Sequence, residues 1–144
     1  MFSKVLLPLG VMLALITAAC GDSEQVGSGT EDDPQVIEVS ALDTLAYDPA
    51  VIEVTAGETV RFVVTNEGET GHEFVLGDEE AQAIAEQEMS EGMHGHSAAM
   101  AALTLAPGET KEATVTFDDA GTLEYACHVA GHYEGGMIGT LSVA

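Results

Sequence analysis

From Val36 onward, apolar and polar residues alternate in short runs separated by turns, the period-two pattern of strands that bury one face. The runs Val36–Ala41, Val51–Val54, Thr59–Asn66, His72–Leu76, Leu103–Leu105, Lys111–Phe117, Thr122–Cys127 and Gly139–Val143 predict eight strands. Ala113, Val115 and Phe117 share one face of their strand, and Leu123, Tyr125 and Cys127 share one face of theirs. Cys127 is therefore expected to point inward beside two large apolar side chains. Turn chemistry lies between the runs, in Ala56-Gly57-Glu58-Thr59, Pro107-Gly108-Glu109-Thr110 and Asp118-Asp119-Ala120-Gly121. Short strands so spaced predict an all-β sandwich or barrel. Residues 79–102 break the rhythm, being rich in Ala, Glu, Gln and Met with Ile84 as their one β-branched residue. They predict a helix over Glu79–Glu91 and then a glycine-broken segment, together an insertion between two strands.

Ahead of the strands, residues 1–19 read as an export leader: Lys4, an apolar run from Val5 to Ile16, then Thr17-Ala18-Ala19 before Cys20. The apolar run is too short to span a bilayer comfortably. Small residues before a cysteine resemble the lipobox of bacterial lipoproteins, which implies cleavage before Cys20 and lipidation of its thiol. Residues 20–34 are polar and acidic and are expected to form a flexible tether, leaving 35–144 as one folded domain. The expected location is extracytoplasmic, anchored by lipid to a bacterial membrane, in the periplasm or on the outer face of the cell membrane. With Cys20 consumed, Cys127 is the remaining thiol and no intramolecular disulfide can form.

Charge alters the picture of partners. The chain carries 25 Asp and Glu against 3 Lys and Arg, a net −22. Such a surface repels phosphate backbones and anionic headgroups, so nucleic acid is excluded and membrane contact is expected through the anchor alone. A basic partner would be steered toward it, with an effect that salt weakens.

The candidate chemistry lies near the C-terminus, where Cys127, His132 and Met137 recur every five residues, with Gly131, Gly135 and Gly136 free to let the loop curl. A copper ion that cycles between its two oxidation states is suited by a thiolate, by neutral imidazoles and by a weak thioether. His72, after the polar turn 66–71, is the candidate for the second imidazole. His128 should lie on the strand face opposite Cys127, toward solvent. A structural zinc site would show more cysteines, a binuclear copper centre a second cysteine in the loop, and a multicopper oxidase several His-x-His pairs and about twice the length. No Ser or Cys stands in a nucleophile elbow, so an electron-transfer or copper-binding protein is expected rather than an enzyme.

Gly71-His72-Glu73-Phe74, Gly121 to Cys127, Gly131-His132 and Gly136 to Leu141 resemble the cupredoxins of the plastocyanin/azurin class, and the resemblance covers roughly 35–144. It implies a Greek-key β-sandwich holding one mononuclear type 1 copper, with His72, Cys127 and His132 as equatorial ligands and Met137 as the long axial one. It also implies one-electron transfer through the exposed edge of His132. The partner would be a basic redox protein such as a cytochrome or a reductase, and the carrier is expected to be a monomer. Glu73 stands where many plastocyanin-like proteins use Asn to brace the ligand loop, so the tuning of the site is expected to differ.

The insertion is a second departure, and it resembles a segment in some periplasmic copper-tolerance cupredoxins. Its Met89, Met93, His94, His96 and Met100 form a ligand set suited to Cu(I), a candidate second copper site. Equally, the methionines could cover the sandwich and the histidines face solvent. The alternative function that follows is copper homeostasis or tolerance, with a copper donor or acceptor protein as partner.

Overall fold

A computed structural model describes residues 29–144; the leader, Cys20 and the tether as far as residue 28 lie outside the described residues. Among the described residues, nine strands and one helix follow in the order β1 (Gln35–Leu42), β2 (Ala46–Asp48), β3 (Val51–Val54), β4 (Thr59–Asn66), β5 (His72–Gly77), α1 (Glu79–Ser90), β6 (Ala101–Leu105), β7 (Thr110–Thr116), β8 (Gly121–Ala126) and β9 (Ile138–Val143). They form two sheets, β2-β1-β4-β7 and β3-β9-β8-β5-β6, in which β1 runs parallel to β4 and β3 parallel to β9. The expected sandwich is present, and the helical insertion joins β5 to β6. Among the described residues no helix is long and apolar enough to cross a membrane.

The strand pattern explains the core. Val60, Phe62 and Val64 of β4 meet Phe74 and Leu76 of β5 and Tyr125 of β8, all fully buried. Rings lie at the centre: Phe62 and Phe74 at 5.5 Å between centroids, Phe74 and Tyr125 at 5.4 Å, Tyr47 and Tyr125 at 5.2 Å. Such contacts add about 0.5–1.5 kcal/mol each beyond area burial. Tyr125 stands opposite Gly139 in the β8–β9 register, and a Cβ there would meet the tyrosine ring at 2.1 Å. Val115 and Phe117 are buried, as their shared face requires, whereas Ala113 is half-buried.

Most element ends differ from the pattern by a residue, and three differences have a local reason. β2 is additional, three residues that pair with the end of β1 and carry too few positions to alternate visibly. β6 begins at Ala101 rather than Leu103, since alanine carries no strand signal. β8 ends at Ala126, so Cys127 stands just beyond it. At the N-terminal side, Gly29 is buried and its carbonyl accepts from Thr59 N at 3.0 Å, while Thr30 and Asp33 close an exposed turn.

Helix α1 starts where its chemistry allows. Asp78 caps it by accepting from Ala81 N at 2.9 Å, and Glu79 and Glu80 suit the positive end of its dipole. The helix buries Ala81, Gln82 and Ala85 and contacts β5 and β8, so it covers the outer face of the five-stranded sheet. Because Val75 pairs with Ala126, the start of β5 lies beside the chain leaving β8.

Candidate metal centre

That register brings His72, at the head of β5, to the loop that begins with Cys127. One ligand atom each from His72, Cys127 and His132 lies within 4.8 Å of the others, a cluster that could hold a metal ion. Cys127 Sγ is 4.0 Å from His72 Nδ1 and 3.4 Å from His132 Nδ1. The imidazole rings of His72 and His132 lie 5.0 Å apart between centroids. His72 and Cys127 are fully buried and His132 is half-buried, so the site opens on the His132 side.

The loop 127–137 is shaped by its own backbone. His132 N donates to Val129 O at 2.8 Å, Gly136 N to Tyr133 O at 3.0 Å and Met137 N to His132 O at 3.0 Å. Gly131 and Gly136 take φ of 85° and 93°, a region open to glycine at little cost. Cys127 N donates to Met137 O at 3.2 Å, which ties the two ends of the loop together, and Met137 is fully buried.

Surrounding groups fix the donor atoms. Asp43 Oδ1 lies 3.1 Å from His72 Nε2, so the Nε2 proton is directed to the carboxylate and Nδ1 is left facing Cys127. Asp43 also accepts from Glu69 N at 2.7 Å and Thr70 Oγ1 at 2.7 Å, and these bonds hold its carboxyl well below the usual range. Asn66, fully buried, donates to Thr70 O at 2.7 Å and Leu105 O at 3.1 Å and accepts from Gly68 N at 2.9 Å, bracing the turn that delivers His72. Glu73 N donates to Cys127 Sγ at 3.2 Å.

The donor set fits copper. Burial pushes the Cys127 thiol up against the pull of the Glu73 and Val129 N–H groups, so the free thiol keeps its proton until a cation displaces it. Burial and the neighbouring His72 hold His132 below the ordinary imidazole value, which favours the neutral, metal-binding form. An inward thiol beside two imidazoles suits an ion that accepts soft and borderline ligands together.

The insertion divides its candidate ligands. His94 Nδ1 and Met89 Sδ meet at 3.2 Å on the exposed side, and Met93 and Met100 are exposed. His96 instead turns inward, where its Nε2 lies 3.3 Å from Glu73 Oε1 with both side chains almost completely buried.

His128 corrects the solvent-side expectation. It does alternate away from Cys127, but α1 covers that face of the sheet and His128 is 1% exposed. Gln82 Nε2 donates to Val75 O and Glu124 O, both at 3.0 Å, which turns Gln82 Oε1 to His128 Nε2 at 2.7 Å. His128 Nδ1 lies 2.6 Å from Glu86 Oε2, and Tyr133 stacks on the ring at 4.8 Å. Asp43, Asn66 and Gln82 escaped the sequence reading; Asn66 sat in view at the end of a strand, but nothing local marks its partners.

Comparison with known proteins bears on the whole of the domain. The chain matches the profile of copper binding proteins of the plastocyanin/azurin family over residues 35–144. It is 40% identical over 109 residues to the copper-resistant cuproprotein CopI of Rubrivivax gelatinosus, covering 76% of this chain and 66%, just under two thirds, of that protein. It is 35% identical over 180 aligned positions to CopI of Pseudomonas aeruginosa, covering 99% of each. The crystal structure of dithionite-reduced auracyanin from the photosynthetic bacterium Roseiflexus castenholzii matches with a TM-score of 0.69 at 28% identity, over 76% of this chain and 97% of that one.

Proposed function

The chain belongs to the plastocyanin/azurin family of copper-binding proteins, and from that premise we propose that it is an extracytoplasmic electron carrier that works through a single type 1 copper. Its ligands would be His72, Cys127 and His132, with Met137 as the weak axial donor. One observation carries the reading: a buried thiol and two imidazole nitrogens converge within 4.8 Å. Copper bound there would supply a one-electron couple. The protein's part is to keep the donors in place through both oxidation states, by the Asp43 and Asn66 bonds on one side and the hydrogen-bonded 127–137 loop on the other. The half-buried His132 would be the point of electron exit. A net charge of −22 favours a basic redox partner, a cytochrome or a reductase, at low salt. The leader and Cys20 support export and lipid anchoring, and the dithionite-reduced auracyanin is consistent with a redox role.

The test is an anaerobic copper titration followed by visible absorption and electron paramagnetic resonance. One equivalent should produce an intense thiolate-to-copper band and a reversible one-electron wave, both lost in Cys127→Ser. A wave that survives that substitution would refute the assignment.

A second reading, copper tolerance or delivery, is favoured by the exposed Met89–His94 contact and by likeness to copper-resistant cuproproteins. The partner would then be a copper donor or acceptor protein. It requires a second equivalent, bound without the thiolate band and lost in the Met89→Ala/His94→Ala double variant. A fixed stoichiometry of one would remove it.

A further inference from the structure

Glu73 is gripped at three points. Its N–H donates to Cys127 Sγ at 3.2 Å, its carbonyl accepts from the Tyr47 hydroxyl, and its carboxylate faces His96 at 3.3 Å. In β5, Phe74 and Leu76 enter the core beside His72, so the Glu73 side chain points the other way, into the layer beneath the insertion. A carboxylate 2% exposed is costly to bury unless something fixes and compensates it. Among the described residues its Oε2 has no hydrogen-bond partner, and neither ring nitrogen of His96 makes a hydrogen bond; the contact between the two side chains is the polar interaction available to both.

His96 is brought there at a cost. It takes φ of 45°, left-handed and rare for a residue with a Cβ, within a segment whose neighbours from Glu91 to Gly95 are all exposed. The chain is pinned on either side of the turn: Glu88 accepts from Ser97 N at 3.0 Å and Ser97 Oγ at 2.5 Å, Ala99 N donates to His96 O at 3.1 Å, and Met100 N donates to Leu76 O at 2.8 Å.

We propose that His96 is a positioning residue for the copper thiolate: the insertion carries it inward to hold the Glu73 carboxylate, and so fixes the peptide whose N–H donates to Cys127 Sγ. The insertion would thereby tune the metal centre without contributing a ligand to it. A hydrogen bond to sulfur withdraws electron density from the thiolate. Its loss makes the sulfur a stronger donor, favours the oxidised ion and lowers the reduction potential. This rests on the copper assignment of the preceding subsection.

The test uses two variants of the full chain. His96→Asn accepts the left-handed φ but is too short to reach Glu73, and His96→Gln restores a donor at nearly the reach of Nε2. His96→Asn is expected to retain one copper, to lower the potential, to shift the thiolate-to-copper band and to speed amide exchange at Glu73 in the metal-free protein. His96→Gln should return all of these toward wild type. An unchanged potential and band, with unchanged Glu73 exchange, would overturn the proposal even if the melting temperature fell. So would a second copper present in wild type and lost in His96→Asn, since His96 would then be a ligand. If wild type binds no copper, the preceding reading fails and the tuning of copper falls with it, whereas Glu73 exchange in the metal-free protein still decides whether His96 fixes that peptide.

Discussion

Asn66 offers the sharpest test of how the His72 side of the site is built. Its side chain is fully buried and makes three hydrogen bonds to main-chain groups: Thr70 O at 2.7 Å, Leu105 O at 3.1 Å and Gly68 N at 2.9 Å. Asn66→Ala removes all three and leaves those groups to find other partners in the interior. At about 0.5–1.5 kcal/mol net for each bond, the loss should be about 2–4 kcal/mol. For a domain of this size that is a fall in melting temperature of about 10–20 °C. The assay is urea unfolding of the metal-free protein at pH 7, followed by circular dichroism, with the m-value expected to be unchanged because the buried surface is the same. Asn66→Asp is nearly isosteric and separates bonding from packing: a carboxylate oxygen would then face two carbonyl oxygens, so it should be at least as damaging as Ala. In either variant the turn before His72 relaxes, and copper affinity should fall about 10–100-fold. A loss below about 1 kcal/mol in Asn66→Ala, or a well-tolerated Asp, would refute the view that these bonds position the loop.

Three other outcomes are expected. Gly139→Ala places a methyl group against the Tyr125 ring, which cannot withdraw while its hydroxyl donates to Pro49 O at 2.7 Å; differential scanning calorimetry should record a loss of about 1–3 kcal/mol that shrinks in a Tyr125→Leu background. His128→Leu leaves Gln82 Oε1 without a donor, so stability should fall by about 2 kcal/mol and α1 amides should exchange faster while the thiolate-to-copper band remains; unaltered α1 protection would count against the network. Glu109 is held below the usual glutamate range by the Ala106 N–H and by Lys111. A depressed folded value means stabilisation that is complete above the unfolded value and is lost as pH falls through the folded one. Denaturant titrations should therefore show wild type exceeding Glu109→Gln above about pH 5, with the gap closing in more acidic solution. A gap independent of pH would contradict this.

Much of the fold was legible because burial on one face writes itself into the sequence with period two, as in Val60, Phe62 and Val64. The candidate loop 127–137 was legible because its glycines and its Cys-His-Met spacing are local. β2 was not, since three residues beside a half-buried Leu45 carry no period. Ala101 and Ala102 join β6 through pairing with β5, which no propensity of alanine announces. His128 shows the limit most clearly: alternation gave its direction, but its burial depends on a helix some forty residues earlier folding back over that face. Asp43 and Glu73 are likewise defined by partners distant in sequence, and His96, unlike the exposed His94, is buried against the Glu73 carboxylate.

The proposed ligand loop has a further consequence for thermodynamic linkage. Cys127, His132 and Met137 fall within residues 127–137, so a denatured chain still holds all three within easy reach of one another. A ligand stabilises a fold only by its preference for the native over the denatured ensemble, and metals that bind unfolded Cys and His reduce that preference. Copper should thus raise the melting temperature by less than its native affinity alone would give. The residue that separates the two ensembles is His72, which reaches the loop through β5–β8 pairing and across 55 positions of chain.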